Sequence, residues 1–339
     1  MIKYCATPAG RIAYSAAGSG PPLLCDVGWV SHVHRQLELF SFGSFISGLA
    51  ERFTVIRYDK PGCGLSDREA ADLSFDAQVA VALAVADAAG ADRFRMFGAS
   101  QGGQVAAAIA ARYPERVEAL ALYGTCADGR DLAPAEVRDS LVALVRAHWG
   151  LGSKVLTGIF IPGPSAEEVD ALTWAQRQGA SAAVAGELLE MYYRTDIRPL
   201  LAAIQVRTAV LHREADPAAR FELGREVASL IPGATLIPLP GSSHLFYHGA
   251  WAEVLDATLG FLAAAEPAPA GPRLTGRELE VAGLVSEGLT NHSIAVRLSI
   301  APRTAEAHVE NIRRKLGVRS RAQIAAWVTE HRLSDGTPR

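Results

Sequence analysis

The pentapeptide at positions 98–102 constrains the fold of this chain more than any other stretch. It reads Gly-Ala-Ser-Gln-Gly, which matches the pattern G-x-S-x-G. An apolar, strand-like run precedes it at 94–97, and an Ala-rich helical run follows it at 104–112. The two glycines let the backbone turn tightly and let the helix pack close to the strand. The pattern therefore predicts a strand, a sharp turn that raises Ser100 to the edge of a sheet, and a helix whose positive end faces that serine.

Strand-like and helix-like segments alternate at short spacing up to about residue 264. This alternation favours an α/β fold with a mainly parallel sheet covered by helices on both faces. It stops between about 128 and 203, where helical patterns follow one another, and we expect that insertion to form a helical cap over the carboxyl end of the sheet. The Ala/Pro-rich stretch 265–273 predicts a linker. Residues 274–335 predict a second, small all-α domain.

Several aromatic side chains in and near the cap would either pack the cap onto the core or line a ligand pocket. The sequence leaves both roles open. The candidates for the pocket are Trp29, His32, Trp149, Trp174, Tyr192 and Tyr193.

The charges are distributed unevenly along a chain whose net charge is −3. Residues 272–339 contain 11 Lys+Arg and 7 Asp+Glu, whereas the preceding residues contain 22 and 29. A basic segment on an acidic body indicates a polyanionic partner. The four cysteines lie far apart, without His at ligand spacing, so we expect no metal, no other cofactor, and reduced thiols in a cytoplasm. Because uncharged apolar runs stay short, we expect no membrane association.

Two further polar residues, Asp216 and His244, each follow a predicted strand. Asp216 comes after a strand at 208–212, and His244 lies in a loop after a strand at 235–238. With the turn at 98–102, the chain order Ser100, Asp216, His244 is the order typical of the α/β-hydrolase family. About residues 1–264 therefore resemble that family. The resemblance implies that Ser100 is the nucleophile of a nucleophile elbow, that His244 is its base, and that Asp216 orients the imidazole. Two alternatives stay open: Asp216 as the cap of a helix beginning near Pro217, and His248 as the base.

The same resemblance implies an oxyanion hole made of two backbone N–H groups. One belongs to Gln101, and the candidate for the other is Trp29, in the loop after an early strand. Many family members have His-Gly in that loop, where this chain has Val-Gly-Trp at 27–29. Together with residues 58–66 and 98–103, this loop resembles a subgroup often fused to adenylate-cyclase or transcription-regulator domains.

Residues 274–328 predict four short helices without strands. Two of them, joined by a tight turn at 299–302, form a helix-turn-helix. The segments Leu-Thr-Gly-Arg-Glu at 274–278, Glu-Gly-Leu-Thr-Asn at 287–291 and Lys-Leu-Gly-Val at 315–318 make this region similar to the LuxR-type DNA-binding domain. The resemblance implies double-stranded DNA as a partner and a helix at 303–316 that enters the major groove.

By that resemblance, a set of polar residues on and after this helix would contact DNA. They are Thr304, His308, Asn311, Arg314, Lys315, Arg319 and Arg321. Family members often have Val-Lys or Val-Arg where this chain has Ala305-Glu306, and Glu310 adds a second acid on the same face. Since a carboxylate accepts from cytosine but cannot hold a phosphate, we expect an unusual base preference. The apolar surface of the last helix, 322–328, would pair two copies into a homodimer or pack within its own domain.

Three hypotheses about function follow. In the first, a hydrolase-fold sensor binds a small-molecule effector and the LuxR-type tail regulates transcription. In the second, a serine hydrolase of the esterase, acyl or C–C class uses the tail only for localisation or assembly. In the third, the sensor also hydrolyses its effector. The agreement of the tail with its family favours a regulator. Nothing in the sequence separates sensing from turnover, because all three triad residues are present.

Overall fold

A computed structural model describes residues 1–264, 274, 276–298, 300–316, 318 and 320–334. The chain divides into two compact units, Met1–Ala264 and Ala265–Arg339. The predicted linker at 265–273 and the candidate DNA contact Arg319 lie outside the described residues. No helix within the described ranges is long and apolar enough to cross a membrane.

The first unit is built on a single eight-stranded sheet. Its strands are β1 (Ile2–Thr7), β2 (Gly10–Ala17), β3 (Pro22–Val27), β4 (Thr54–Tyr58), β5 (Phe94–Ala99), β6 (Val117–Tyr123), β7 (Arg207–Arg213) and β8 (Thr235–Leu239). They lie in the order β1-β2-β4-β3-β5-β6-β7-β8. The pairs β1–β2 and β2–β4 are antiparallel, and every pair from β4 to β8 is parallel. The central strands β3, β5 and β6 are buried along nearly their whole length, as parallel strands covered on both faces require.

Ten helices of this unit surround the sheet and rise above it. They are α1 (Phe42–Ala50), α2 (Phe75–Ala88), α3 (Gln101–Arg112), α4 (Ala135–Ala147), α5 (Trp149–Phe160), α6 (Ala166–Gly179), α7 (Ala182–Arg194), α8 (Arg198–Leu201), α9 (Phe221–Leu230) and α10 (Trp251–Leu262). Side chains of α2, α3 and α9 form the core on one face of the sheet. Those of α1 and α10 form an aromatic-rich core on the other face.

Helices α4 to α8 follow β6 without an intervening strand and form the cap. Side chains of α4, α5 and α7 build a separate apolar cluster that also contains Trp29 and Val30. Asp128, after the end of β6, and Asp196, before β7, form an isolated β-bridge with each other. The Arg198 guanidinium spans both carboxylates, with nitrogen–oxygen distances of 2.6 Å to each. The two ends of the cap are therefore joined at its base.

The second unit has helices and no strand among its described residues. It contains α11 (Gly276–Ser286), α12 (Asn291–Leu298), α13 (Pro302–Leu316) and α14 (Arg321–Ser334). One apolar cluster, which includes Val281, Ile294, Val309, Ile312 and Ile324, unites the four helices. Helices α12 and α13 are the helix-turn-helix pair.

Candidate active site and nucleic-acid interface

Ser100 lies at the turn between β5 and α3, in a conformation that is rare for a residue with a side chain. Its φ is 54° and its ψ is −124°. Such a backbone costs about 1–3 kcal/mol and persists only where its surroundings fix it. Here its N–H donates to Tyr123 O at 2.8 Å, and its carbonyl accepts from Thr125 Oγ1 at 2.8 Å. The strained turn holds the serine at the carboxyl edge of the sheet.

Two glycines make this turn sterically possible. A Cβ at Gly98 would lie 2.6 Å from the Cβ of Ala106, on the following helix. A Cβ at Gly102 would lie 2.1 Å from the carbonyl oxygen of Asp26, on β3. Contacts this short do not occur with real Cβ atoms, so both positions require glycine for the close approach of backbone to backbone.

We expect Gly102→Ala to destabilise the first unit by about 3 kcal/mol, because rigid backbone atoms of β3 occupy the place of the new methyl group. The matched control is Gly158→Ala in α5, where a Cβ would meet no atom within 4 Å. That control should be neutral or stabilising by up to about 1 kcal/mol. Denaturant unfolding of the two variants checks the prediction, and equal midpoints would contradict it.

Ser100, His244 and Asp216 form one continuous chain of hydrogen bonds. His244 Nε2 lies 2.9 Å from Ser100 Oγ, and His244 Nδ1 lies 2.7 Å from Asp216 Oδ2. Because a carboxylate only accepts, Nδ1 carries the proton, and Nε2 presents its lone pair to the serine hydroxyl. This arrangement lets the imidazole take a proton from Ser100 Oγ.

The second oxygen of Asp216 accepts backbone N–H groups of Ala218 at 2.9 Å and Ala219 at 3.1 Å. The next helix, α9, begins only at Phe221, so no helix near Pro217 is capped by this carboxylate. Burial raises the pKa of Asp216, but the charge and hydrogen bond of His244 and the Ala219 N–H outweigh it and hold the pKa below its ordinary value. The side chain therefore remains a carboxylate at neutral pH, next to the imidazole.

His248, the alternative base, belongs to a different contact. Its Nε2 lies 2.7 Å from Glu168 Oε1 on the cap helix α6, and its ring packs edge-on against Phe40. The structure thus brings His244, and not His248, to Ser100.

The two candidate oxyanion donors flank the serine. Gln101 is the first residue of α3, directly after Ser100. Trp29 follows Gly28, whose N–H donates to Ala99 O at 3.1 Å and so holds this loop beside the end of β5. Neither the Trp29 nor the Gln101 backbone N–H donates to an acceptor within the described residues. Both amides therefore remain available to a ligand.

Buried polar groups fix the loop that carries Trp29. Asp59 accepts the Val33 N–H at 2.6 Å and the Leu65 N–H at 2.8 Å, and Ser31 Oγ accepts the Lys60 N–H at 2.9 Å. Burial raises the pKa of Asp59 to about 6. Because Asp59 contacts backbone of two loops, it positions the loop rather than meeting a ligand.

Two cavities open beside the Ser100–His244 pair. The first has a volume of about 70 Å³ and the second of about 240 Å³, and each is partly open to solvent. Both are bordered by Trp29, Ser100, Phe160 and His244. Among the described residues, the lining of both cavities includes no Asp, Glu, Lys or Arg. A ligand on Ser100 would extend one arm into each cavity, in neutral and mainly apolar surroundings.

The expected pocket residues divide into two groups. Trp29 borders both cavities, His32 lines the first, and Tyr192 and Tyr193 line the second. Trp149 and Trp174 line neither cavity.

Both tryptophans are engaged elsewhere. Trp149 packs edge-on against Trp29 at 5.9 Å between ring centroids and donates Nε1–H to Ala180 O at 2.9 Å. Trp174 is 44% exposed, and the Arg35 guanidinium lies 5.6 Å from its ring centroid. Of the two roles that the sequence leaves open, these contacts give Trp149 and Trp174 the packing role.

Phe160 is a site residue that the sequence does not indicate. Its ring stacks on His244 with centroids 5.5 Å apart, and its carbonyl accepts the His244 N–H at 2.8 Å. It lies at the end of α5, and one apolar residue among many in the cap carries no signal of this contact.

Helix α13 presents part of the predicted DNA-contact set to solvent. Thr304 and Arg314 are exposed, and His308 and Asn311 are half-buried. Arg314 Nη2 donates to Asn311 Oδ1 at 3.1 Å. The opposite side of the helix, with Ala305, Val309 and Ile312, faces the apolar core.

Two cations of the predicted set are bound within the unit itself. Lys315 Nζ lies 2.7 Å from a carboxylate oxygen of Glu278, whose side chain is only 6% exposed. Arg321 donates to Asn291 Oδ1 at 2.5 Å and to Leu289 O at 2.6 Å. The structure therefore gives Lys315 and Arg321 roles in holding helices together.

The apolar surface of α14 is also used inside the unit. Ile324 and Val328 are buried in the common core, and Trp327 packs against it. Packing within the unit therefore uses most of the apolar surface through which two copies could pair.

Comparison with known proteins assigns both units. The family model for the alpha/beta hydrolase fold matches residues 21–147, and the model for bacterial regulatory proteins of the luxR family matches residues 272–328. Over 243 residues, the chain is 30% identical to the pimeloyl-[acyl-carrier protein] methyl ester esterase of Chromobacterium violaceum, with 67% of this chain and 88% of that protein covered. The chain belongs to the α/β-hydrolase family. Its second unit is a LuxR-type DNA-binding domain.

Relatives of the LuxR-type domain share that segment alone. The chain is 38% identical over 61 residues to the nitrate/nitrite response regulator protein NarL of Escherichia coli, with 18% of this chain covered. It spans 28% of the length of NarL and 7% of an HTH-type transcriptional regulator of Mycobacterium bovis that it also matches. Among solved structures, an esterase from Exiguobacterium antarcticum superposes on the hydrolase domain with a TM-score of 0.69. It is 21% identical, and the match covers 78% of this chain and all of that one.

Proposed function

We propose that this protein is a ligand-responsive transcriptional regulator whose α/β-hydrolase domain binds and hydrolyses a small neutral acyl compound. One observation carries the proposal. A complete Ser100–His244–Asp216 hydrogen-bond chain, open to two cavities, occurs in the same polypeptide as a LuxR-type DNA-binding domain. In this proposal the ligand binds next to the nucleophile Ser100, and its binding changes the affinity of the second unit for DNA.

The proposed reaction follows from the contacts of the three residues. His244 Nε2 takes the proton of Ser100 Oγ, which attacks the acyl carbon, and the oxygen that becomes negative accepts from the N–H groups of Gln101 and Trp29. His244 then protonates the leaving group, and a water molecule hydrolyses the acyl-serine in the same manner. The negative charge of Asp216 stabilises the imidazolium throughout.

The lining of the cavities supports a neutral ligand. A charged group brought into either cavity would lose its hydration without meeting an opposite charge among the lining residues, which is costly. Both arms of the ligand are therefore uncharged.

For the DNA-binding domain, we propose that α13 enters the major groove and that Arg314, Thr304, His308 and Asn311 contact DNA. The contact of Arg314 with Asn311, one turn earlier, holds its guanidinium on the exposed face. Lys315 and Arg321 act by supporting this helix, and Glu306 and Glu310 limit the number of phosphates it can hold.

A second candidate function is a serine hydrolase whose DNA-binding domain has an accessory role. It is supported by the complete triad and by the 30% identity to an esterase over most of that esterase's length. The two candidates differ in one respect: only a regulator changes its DNA binding when the hydrolase site is occupied.

The proposal is tested by assaying both halves in the full chain. Hydrolysis of p-nitrophenyl butyrate should saturate with substrate, and binding to a duplex selected from a random library should weaken with salt as phosphate contacts require. Absence of salt-dependent DNA binding would refute the regulator, and absence of both ester hydrolysis and ester binding would refute the role given to the hydrolase domain.

A further inference from the structure

Gln176, on the cap helix α6, lines the first cavity and is only 4% exposed. Its Nε2 donates to Ser153 O at 3.2 Å and lies 3.1 Å from Thr157 Oγ1. Its Oε1 is buried and has no hydrogen-bond partner within the described residues. A buried acceptor without a donor destabilises the protein that contains it.

The orientation of this amide follows from chemistry. The Ser153 carbonyl can only accept, so the nitrogen of the Gln176 side chain must face it. The reversed amide would set two acceptor oxygens against each other. The unpartnered atom is therefore the acceptor, Oε1, and the group that completes it must donate a hydrogen bond.

The surroundings of Gln176 are neutral. Helix α6 approaches the loop after β3 closely, since a Cβ at Gly179 would lie 3.3 Å from Ser31 O. In that loop, His32 lines the same cavity, and its Nδ1 accepts the Arg35 N–H at 3.2 Å. Burial, followed by the charge of Arg35, lowers the pKa of His32. The His32 imidazole is thus uncharged at neutral pH. The ligand group that donates to Gln176 therefore meets no charged side chain in this cavity and needs no charge of its own.

The second cavity offers different surroundings. Apart from Ser100, His244 and two tyrosines, its lining side chains are apolar, including Leu141, Leu156 and Leu189. The Tyr192 hydroxyl already lies 3.7 Å from Cys126 Sγ. This cavity suits an apolar arm, and Gln176 does not border it.

We infer that the ligand is an uncharged acyl compound with two unlike arms. The arm in the first cavity carries a hydroxyl or amide N–H that donates to Gln176 Oε1, and the arm in the second cavity is apolar. The inference rests on the proposed function, because it assumes that Ser100, which borders both cavities, attacks the acyl carbon through its Oγ. Gln176 is thereby the residue that selects for a hydrogen-bond donor.

Three esters of equal length test this inference: hexyl hexanoate, 6-hydroxyhexyl hexanoate and hexyl 6-hydroxyhexanoate. Binding to the full chain with Ser100→Ala, which cannot turn them over, is measured by calorimetry. Relative to hexyl hexanoate, the affinity for one of the hydroxylated esters should fall about tenfold when Gln176→Met is added, since the donor then lacks its acceptor. Gln178→Met, at an exposed position two residues later, is the matched control and should leave the ratio unchanged.

The methyl ether of the preferred hydroxylated ester provides a measurement that needs no change at position 176. It cannot donate, so it should bind the Ser100→Ala chain about tenfold more weakly than the free hydroxyl. Four outcomes would each overturn the inference. The ratio of affinities for the hydroxylated ester and hexyl hexanoate could be unchanged in Gln176→Met, or both hydroxylated esters could gain affinity equally over hexyl hexanoate. The ether could bind as tightly as the free hydroxyl, or no ester could bind. Hydrolysis by the unaltered chain is scored separately. A ratio that shifts without turnover refutes the catalytic proposal alone, and turnover of all three esters without a shift refutes the role of Gln176 alone.

Discussion

Replacing Ser100 by alanine should lower kcat/KM for p-nitrophenyl butyrate about 10⁴-fold or more, because the attacking oxygen is removed while the fold stays intact. His244→Gln should cause a loss of similar size, since the hydroxyl then has no base. The two changes should not add, because the residues act in one proton-transfer chain. Steady-state kinetics of the single and double variants measure these effects.

His248→Gln is the matched control for His244→Gln. His248 contacts Glu168 and the ring of Phe40 and lies outside the Ser100 chain, so its loss should change kcat/KM by less than about threefold. A loss in His248→Gln as large as that in His244→Gln, or full activity in Ser100→Ala, would refute the assignment of the triad.

Arg314→Ala and Lys315→Ala should weaken DNA binding for different reasons, although the residues are neighbours. Arg314 is exposed, so its loss should reduce DNA affinity about tenfold and lower the salt slope by about one, without changing stability. Lys315 is paired with the nearly buried Glu278, so its loss should destabilise the second unit by about 1–3 kcal/mol.

Fluorescence anisotropy with a labelled duplex, measured from 50 to 300 mM salt, and denaturant unfolding separate the two effects. Lys154→Ala, in the cap helix α5 of the first unit, removes the same charge outside the DNA-binding domain and serves as the control. If Lys315→Ala unfolds at the same denaturant concentration as the unaltered chain, the supporting role of the Lys315–Glu278 pair is wrong.

The fold class could be predicted from the sequence because its signals are local. The glycines at 98 and 102 leave few backbone solutions, and the polar residues at the ends of β7 and β8 are set by the direction of parallel strands. The predicted α/β-hydrolase fold and the LuxR-type domain are confirmed by the family models and by the superposition on a known esterase. The geometry at Ser100 follows from the same local rules.

The cap and the charged face of α13 could not be predicted to the same depth. The face that a cap helix turns toward the sheet depends on its neighbours, so the sequence could not decide whether Trp149 and Trp174 pack the cap or line the pocket, and it did not single out Phe160. A lysine on a basic helix suggests a phosphate contact, yet Lys315 pairs with a carboxylate 37 positions earlier. Long-range pairings of this kind depend on how helices pack, and composition and periodicity do not specify them.

Covalent modification of Ser100 tests most directly whether occupancy of the hydrolase domain changes the DNA affinity of the second unit. An uncharged alkyl fluorophosphonate ester that modifies the full chain places an alkyl arm beside the serine permanently, and the Ser100→Ala chain treated in the same way provides the control. The affinity for the library-selected duplex, measured by anisotropy, should change at least fivefold on modification of Ser100 and should not change in the control. Identical affinities before and after complete modification would contradict the account of a ligand-responsive regulator and leave a hydrolase with an accessory DNA-binding domain.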